Sequence, residues 1–160
     1  MAFIVDGNNF LGFSAAGGAR DPENRRSLVR KLLAFQKFTG TRVFLVFDGR
    51  LTDDLIVMAA GEGKFRLIQP PLGENADGVI LDLIDRQTDR RRLFVVSSDR
   101  EIRTYAHDAG ASPLTCREFE ARLKRVLKER RAAKEMGKPA VRTSPLEVGL
   151  WLDVFGEKKR

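Results

Sequence analysis

The sequence predicts an α/β domain with a mostly parallel sheet and helices on both faces, and three observations carry that expectation. Short apolar, β-branched runs alternate along the chain with longer stretches of helical periodicity. The runs are continuous rather than alternating, as strands buried on both faces require. Several of them also stop at an aspartate beside a small residue, where a strand would turn toward its crossover helix. Right-handed crossovers then narrow the topology to a doubly wound sandwich.

Ala2 to Val5 forms the first strand, closed by Asp6-Gly7, and Arg42 to Phe47 the second, closed by Asp48-Gly49. Phe65 to Ile68 is a weaker third strand stopped by Pro70-Pro71; Leu93 to Val96 is a fourth, ended by Ser97-Ser98-Asp99; Ser112 to Thr115 can supply a fifth. Between them, Asp21-Pro22-Glu23 offers an N-cap, a first-turn proline and a first-turn carboxylate, and Leu28, Leu32 and Phe35 recur at helical spacing until Gly40. Ala76, Val79, Ile80, Leu83 and Ile84 fall on one helical stripe. Ser98 or Asp99 can cap a helix through Ile102 and Ala106 that ends at Gly110. Phe119, Leu123, Val126 and Leu127 form the buried stripe of a last helix, leaving most of its cations toward solvent. The expected main body is residues 1–136; residues 137–160 form a Gly/Pro-containing linker and an apolar segment, Leu146 to Phe155, expected to dock on that body.

The chain has 160 residues, enough for one core that buries roughly 68–70% of the unfolded surface. Cys116 is its only cysteine, so an internal disulfide is excluded and the thiol is expected as a small buried hydrophobe. No apolar run approaches the roughly 20 residues of a membrane helix, and Asp6 leaves no room for a signal stretch, so a cytoplasmic location without membrane association is expected. The net charge is +7, and residues 117–142 hold ten Lys and Arg against four Glu, which is six of those seven charges. Such a segment is either a solvated helix face or a docking surface for a polyanion.

The chemistry is signalled by position. In an open parallel sheet all strand carboxyl ends share one edge with the N-termini of the following helices, so Asp6, Asp48, Asp77 and Asp99 should converge there. Each could be a simple cap or turn residue taken alone. Together they repel, by about 4 kcal/mol per pair at 4 Å and an effective dielectric of 20. Oxygen ligands without a Cys or His cluster favour Mg²⁺ or Mn²⁺ as the compensating ion. Asn8 and Asn9 add amide groups that could orient water or phosphate, and helix N-termini favour an anion. A hard cation, an anion-seeking edge and a basic helix point to metal-assisted phosphoryl chemistry on nucleic acid. His107 is not needed for it and is expected at the surface or hydrogen-bonded; Tyr105 and Trp151 are expected to pack. Gly63-Lys64 lacks the spacing of a P-loop.

Four blocks, Phe3 to Leu11, Val46 to Gly49, Glu74 to Ile80 and Val95 to Ile102, together resemble in order the YacP-like NYN domain within the PIN-like nucleases. The resemblance implies a Rossmann-like three-layer sandwich with a mostly parallel sheet, a divalent metal on acidic residues, and endoribonuclease activity. It matches Asp6, Asp48, Asp77 and Asp99 to the acidic positions and Asn9 to the accompanying asparagine. Family members commonly carry a second acidic residue after the third-block aspartate, where this chain has Gly78; Asp82 is the nearest substitute.

The expected function is cleavage of single-stranded or looped RNA with Mg²⁺ or Mn²⁺. Asp6 and Asp99 would be principal metal ligands, Asp48 and Asp77 would complete the set, and Asn9 would orient water or phosphate. Arg100, Arg122, Lys124, Arg125, Lys128, Arg130, Arg131 and Lys134 would hold the RNA backbone, and a ribosome or protein partner is compatible with this reading. Two alternatives stay open. One is a weak or inactive RNA-binding adaptor, for which Gly78 speaks; the other is a phosphoacceptor signalling domain, which would place a Lys at the end of the last strand where Thr115-Cys116-Arg117 has none.

Overall fold

A computed structural model describes residues 1–137; the expected terminal segment and nearly all of the linker lie outside the described residues. The order of elements is β1 (Ala2–Asp6), α1 (Gly7–Ser14), α2 (Pro22–Thr39), β2 (Arg42–Val46), α3 (Asp53–Ala59), β3 (Phe65–Ile68), α4 (Ala76–Arg86), β4 (Leu93–Val96), α5 (Arg100–Asp108), β5 (Ser112–Leu114) and α6 (Cys116–Glu135). The five strands form one sheet in the order β3-β2-β1-β4-β5, and all four pairings are parallel. The expected doubly wound α/β class is therefore the one observed. Among the described residues no helix is long and apolar enough to cross a membrane.

Alternation along the strands divides the core in two. Phe3, Val5, Val43, Leu45, Phe94 and Val96 face one side, where they pack with apolar residues of α1, α2, α3 and α6. Ile4, Phe44, Val46, Leu93 and Val95 face the other, against Ala76, Ile80 and Ile84 of α4 and Ile102 and Ala106 of α5. The first core centres on Phe3, whose ring lies 5.3 Å from Phe35, 5.0 Å from Phe94 and 5.5 Å from Phe119. Each such pair adds about 0.5–1.5 kcal/mol beyond area burial.

The helix signals are realised where the sequence placed them. Asp21 caps α2 through the Glu23 N–H at 2.9 Å, and Gly40 ends it with φ of 70°, a left-handed conformation that disfavours other residues. Two helices have no counterpart in the sequence reading: α1, which starts directly after β1, and the seven-residue α3. Gly7 permits the first. A Cβ there would stand 2.6 Å from the Phe47 ring and 2.9 Å from the Val46 carbonyl oxygen, so only glycine lets the chain turn from β1 into α1 beside β2.

Candidate functional site

The strand order reverses between β1 and β4, the switch point where open α/β sheets bind ligands beyond the carboxyl ends of their strands. Asp6 ends β1 there. It is 5% exposed, caps α1 by accepting from the Asn9 N–H at 3.4 Å, and accepts from the Ser97 hydroxyl at 3.2 Å. Burial pushes its carboxyl up to about 6; the Asn9 and Ser97 hydrogen bonds oppose this, while the charges of Asp77 and Asp48 raise it further.

The other acids are tied to the same rim. Asp48, after β2, accepts from the Ala76 N–H at 2.7 Å, which fixes the start of α4 against the end of β2. Its own N–H donates to Asn8 Oδ1 at 3.0 Å. The Arg25 guanidinium, 5.0 Å over the Phe47 ring, donates to the Asp48 carbonyl at 3.4 Å. Asp99 accepts from the N–H groups of Glu101 at 2.8 Å and Ile102 at 3.4 Å as N-cap of α5, and its N–H donates to Ser97 Oγ at 3.1 Å. Asp77 sits exposed in the first turn of α4, which Asn75 caps through the Gly78 N–H at 3.0 Å. Burial raises the Asp77 carboxyl, and the charges of Asp99, Asp48 and Glu101 add to the shift. Asp6 thus feels the charges of Asp77 and Asp48, and Asp77 those of Asp99, Asp48 and Glu101, which places Glu101 beside them.

Asn9 is held by two contacts. Its Oδ1 accepts from the Ser98 N–H at 2.8 Å and from the Cys116 thiol at 3.0 Å, joining α1, the turn after β4 and the start of α6. Cys116 is fully buried as expected, and burial pushes its thiol up. Ser97 is fully buried and links Asp6 to the Asp99 backbone. The sequence reading placed Ser97 at the strand end without a role and passed over Glu101 and Asn75. Their signals were a small hydroxyl residue two before a capping aspartate, and a carboxylate two after it.

Other expectations need correction. Arg122 does not face RNA: it is 2% exposed, with its guanidinium 5.4 Å over Phe3 and 4.9 Å over Phe94. Burial, with the Arg125 charge, brings it down to about 10, so it stays protonated at neutral pH. Arg100, Lys124, Arg125, Lys128, Arg131 and Lys134 are exposed and Arg130 half-buried. Lys124 pairs with Glu120 at 3.1 Å. The N-terminus of α6 sits at the rim, so Lys128 and Lys134 lie about 18 and 27 Å along the helix from Cys116, at about 1.5 Å per residue. Asp82 is exposed and paired with Arg86 at 2.9 Å, so it does not replace a carboxylate at position 78. Tyr105 does not pack inward; it is 37% exposed and its hydroxyl donates to Asp85. His107, by contrast, is at the surface as expected, with Nδ1 3.4 Å from Asp108.

Among the described residues no three acidic, histidine or cysteine side chains stand close enough to form a finished metal site. The donor chemistry nevertheless suits a hard cation. All donor atoms at the rim are oxygens, Asp48 and Asp99 each engage one carboxylate oxygen in hydrogen bonding, and Asp6 carries a carboxyl raised by burial, with a smaller contribution from the charges of Asp77 and Asp48. Gly78 leaves open space: a Cβ there would meet only Asn75 Oδ1, at 3.5 Å.

Two solved structures share this architecture. Rae1 (YacP) from Bacillus subtilis superposes with a TM-score of 0.66 at 23% identity, covering 99% of this chain and 89% of that one. A structure of its W164L mutant gives 0.67 at 24% identity over 85% of this chain and 84% of that one. At such identity the likeness shows the fold alone. No curated protein sequence matches the chain. The sequence model of the YacP-like NYN domain, a nuclease-type fold, matches residues 3–149. With that match spanning nearly the whole chain, the protein belongs to the YacP-like NYN domain family.

Proposed function

We propose that the protein is a divalent-metal-dependent endoribonuclease acting on single-stranded or looped RNA. The observation that supports this reading is the placement of Asp6, Asp48, Asp77 and Asp99, with Glu101, along the carboxyl edge of the sheet, where burial raises the carboxyls of Asp6 and Asp77 and the charges of neighbouring acids add to the shift. Asp6 and Asp77 would hold Mg²⁺ or Mn²⁺, with Asp48 and Asp99 contributing the carboxylate oxygens not spent on α4 and α5. A bound ion would lower the pKa of water and neutralise charge developing on the phosphate.

The chain's own residues do the rest. Asn9, its amide oxygen committed to Ser98 and Cys116, would present its NH₂ to a phosphate oxygen. The N-termini of α1, α4, α5 and α6 follow their strands at this edge and favour an anion. Ser97 keeps Asp6 and the Asp99 turn in register. Arg100 at the rim and the exposed cations of α6 would form a track for the backbone leading away from the scissile bond. Unpaired RNA suits this rim because its bases can splay and its backbone can bend toward the acids.

Incubation of the purified protein with a mixed RNA pool tests the reading. Cleavage should require Mg²⁺ or Mn²⁺, stop with chelator, and be lost in Asp6→Asn and in Asp99→Asn while RNA binding persists. Undiminished cleavage by the double variant would overturn it. The open position at Gly78 favours a second reading, an RNA-binding adaptor of the same fold. RNA retained without turnover under both metals, across varied RNAs, would support that one.

A further inference from the structure

A groove of about 250 Å³ lies where α1, α2 and α6 meet, away from the acidic rim. Phe10 and Leu11 of α1, Leu28 of α2 and Leu123 and Leu127 of α6 supply its apolar lining, and half-buried Ser27 and exposed Lys31 also line it. Lys124 also lines it but is paired with Glu120. The groove is large enough for one indole side chain, and nothing among the described residues fills it.

The chain beyond residue 137 carries a segment of matching chemistry. Leu146 to Phe155 contains Leu150, Trp151, Val154 and Phe155 at positions i, i+1, i+4 and i+5, with two acidic residues, Glu147 and Asp153, and no basic one. Its apolar residues suit the wall and its carboxylates suit Lys31. Reach is sufficient. The return from Gly137 to the level of Leu127 or Lys124 is about 15–20 Å along α6, at about 1.5 Å per residue. The eight residues 138–145 can span about 26–29 Å, at about 3.3–3.6 Å each. A tether this short gives an effective concentration on the order of millimolar, which favours this segment over a second copy at micromolar protein.

We infer that the groove between α1, α2 and α6 is the seat of the chain's own segment Leu146 to Phe155, with Trp151 as the anchor. The inference does not depend on the reading of the acidic rim. It has a structural consequence there, because the α1 wall of the groove directly follows Asn9. A seated segment braces the helix that Asp6 caps.

Trp151 is the only tryptophan, so its fluorescence in the full chain reports the contact without labelling. Emission should be blue-shifted relative to the urea-unfolded chain, and acrylamide quenching severalfold weaker. Ser27→Phe, which fills the groove, should move both readings to those of the unfolded chain while the far-UV melt stays cooperative. If that variant does not fold, Lys31→Glu, at an exposed position, should raise quenching measurably. An emission that matches the unfolded chain in the unsubstituted protein overturns the inference. So does shielding unaffected by the variant that folds, which would seat the indole elsewhere, or shielding lost on dilution together with dimer mass, which would make a second copy the occupant.

Discussion

Replacing Asp6 by Asn should abolish cleavage and at the same time stabilise the fold. Asp6 is 5% exposed, and burial pushes its carboxyl from 3.8 up to about 6. The folded state therefore holds the proton more tightly than the unfolded chain, and ionising Asp6 opposes folding. Its contribution to stability falls as pH rises from about 4 to about 6 and stays low above that. A shift of about two units corresponds to about 3 kcal/mol at pH 7. An amide can still accept from the Asn9 N–H and can donate to Ser97 Oγ, so only part of that gain should be lost to rearrangement. Urea unfolding of both proteins between pH 4 and 7.5, without divalent metal, gives the difference directly. It should be near zero at pH 4 and grow to about 2–3 kcal/mol in favour of Asn by pH 7. A difference that does not grow with pH, or a variant less stable at pH 7, would refute the reasoning about this buried carboxylate.

Placing an acid at the open position, Gly78→Asp, should tighten Mn²⁺ binding and raise cleavage, since an added Cβ meets only Asn75 Oδ1; weaker binding in calorimetry would contradict a metal beside the first turn of α4. If about five cations of Arg100 and the α6 face touch phosphates, single-strand RNA affinity should fall roughly 100-fold between 50 and 200 mM salt, and Lys128→Ala with Arg131→Ala should flatten that slope. Arg122→Ala should cost about 1–3 kcal/mol through lost packing on Phe3 and Phe94 while leaving the RNA salt slope unchanged, measured by urea unfolding and filter binding. Asp48→Ala should cost about 1–2 kcal/mol by leaving the Ala76 N–H without its acceptor, and a thermal melt will show it.

The sheet was legible because parallel strands buried on both faces read as continuous apolar runs, and each ended where a strand must turn. The rim was legible for the same reason: topology alone sends Asp6, Asp48, Asp77 and Asp99 to one edge once the strands are parallel. Two kinds of detail escaped. Helix α1 begins without a loop because Gly7 tolerates the approach of Phe47, a contact between residues forty positions apart that no local pattern encodes. Helix α3 is too short for its periodicity to emerge. Arg122 was misassigned although its spacing was informative. It stands three residues after Phe119 and four before Val126, on the apolar stripe itself, and its charge obscured that position. Ser97 and Glu101 acquire their place only when β4 lies beside β1 and α5 faces α4.

The most direct test is a calorimetric titration of Mn²⁺ into the metal-free protein at pH 6, run in parallel with Asp6→Asn and Asp77→Asn. The account predicts saturable binding to the unsubstituted chain with proton release, because the partly protonated Asp6 must ionise to act as a ligand, and loss of that binding in both variants. Equal binding by all three proteins, or none by the unsubstituted one, would contradict the claim that these side chains share an ion.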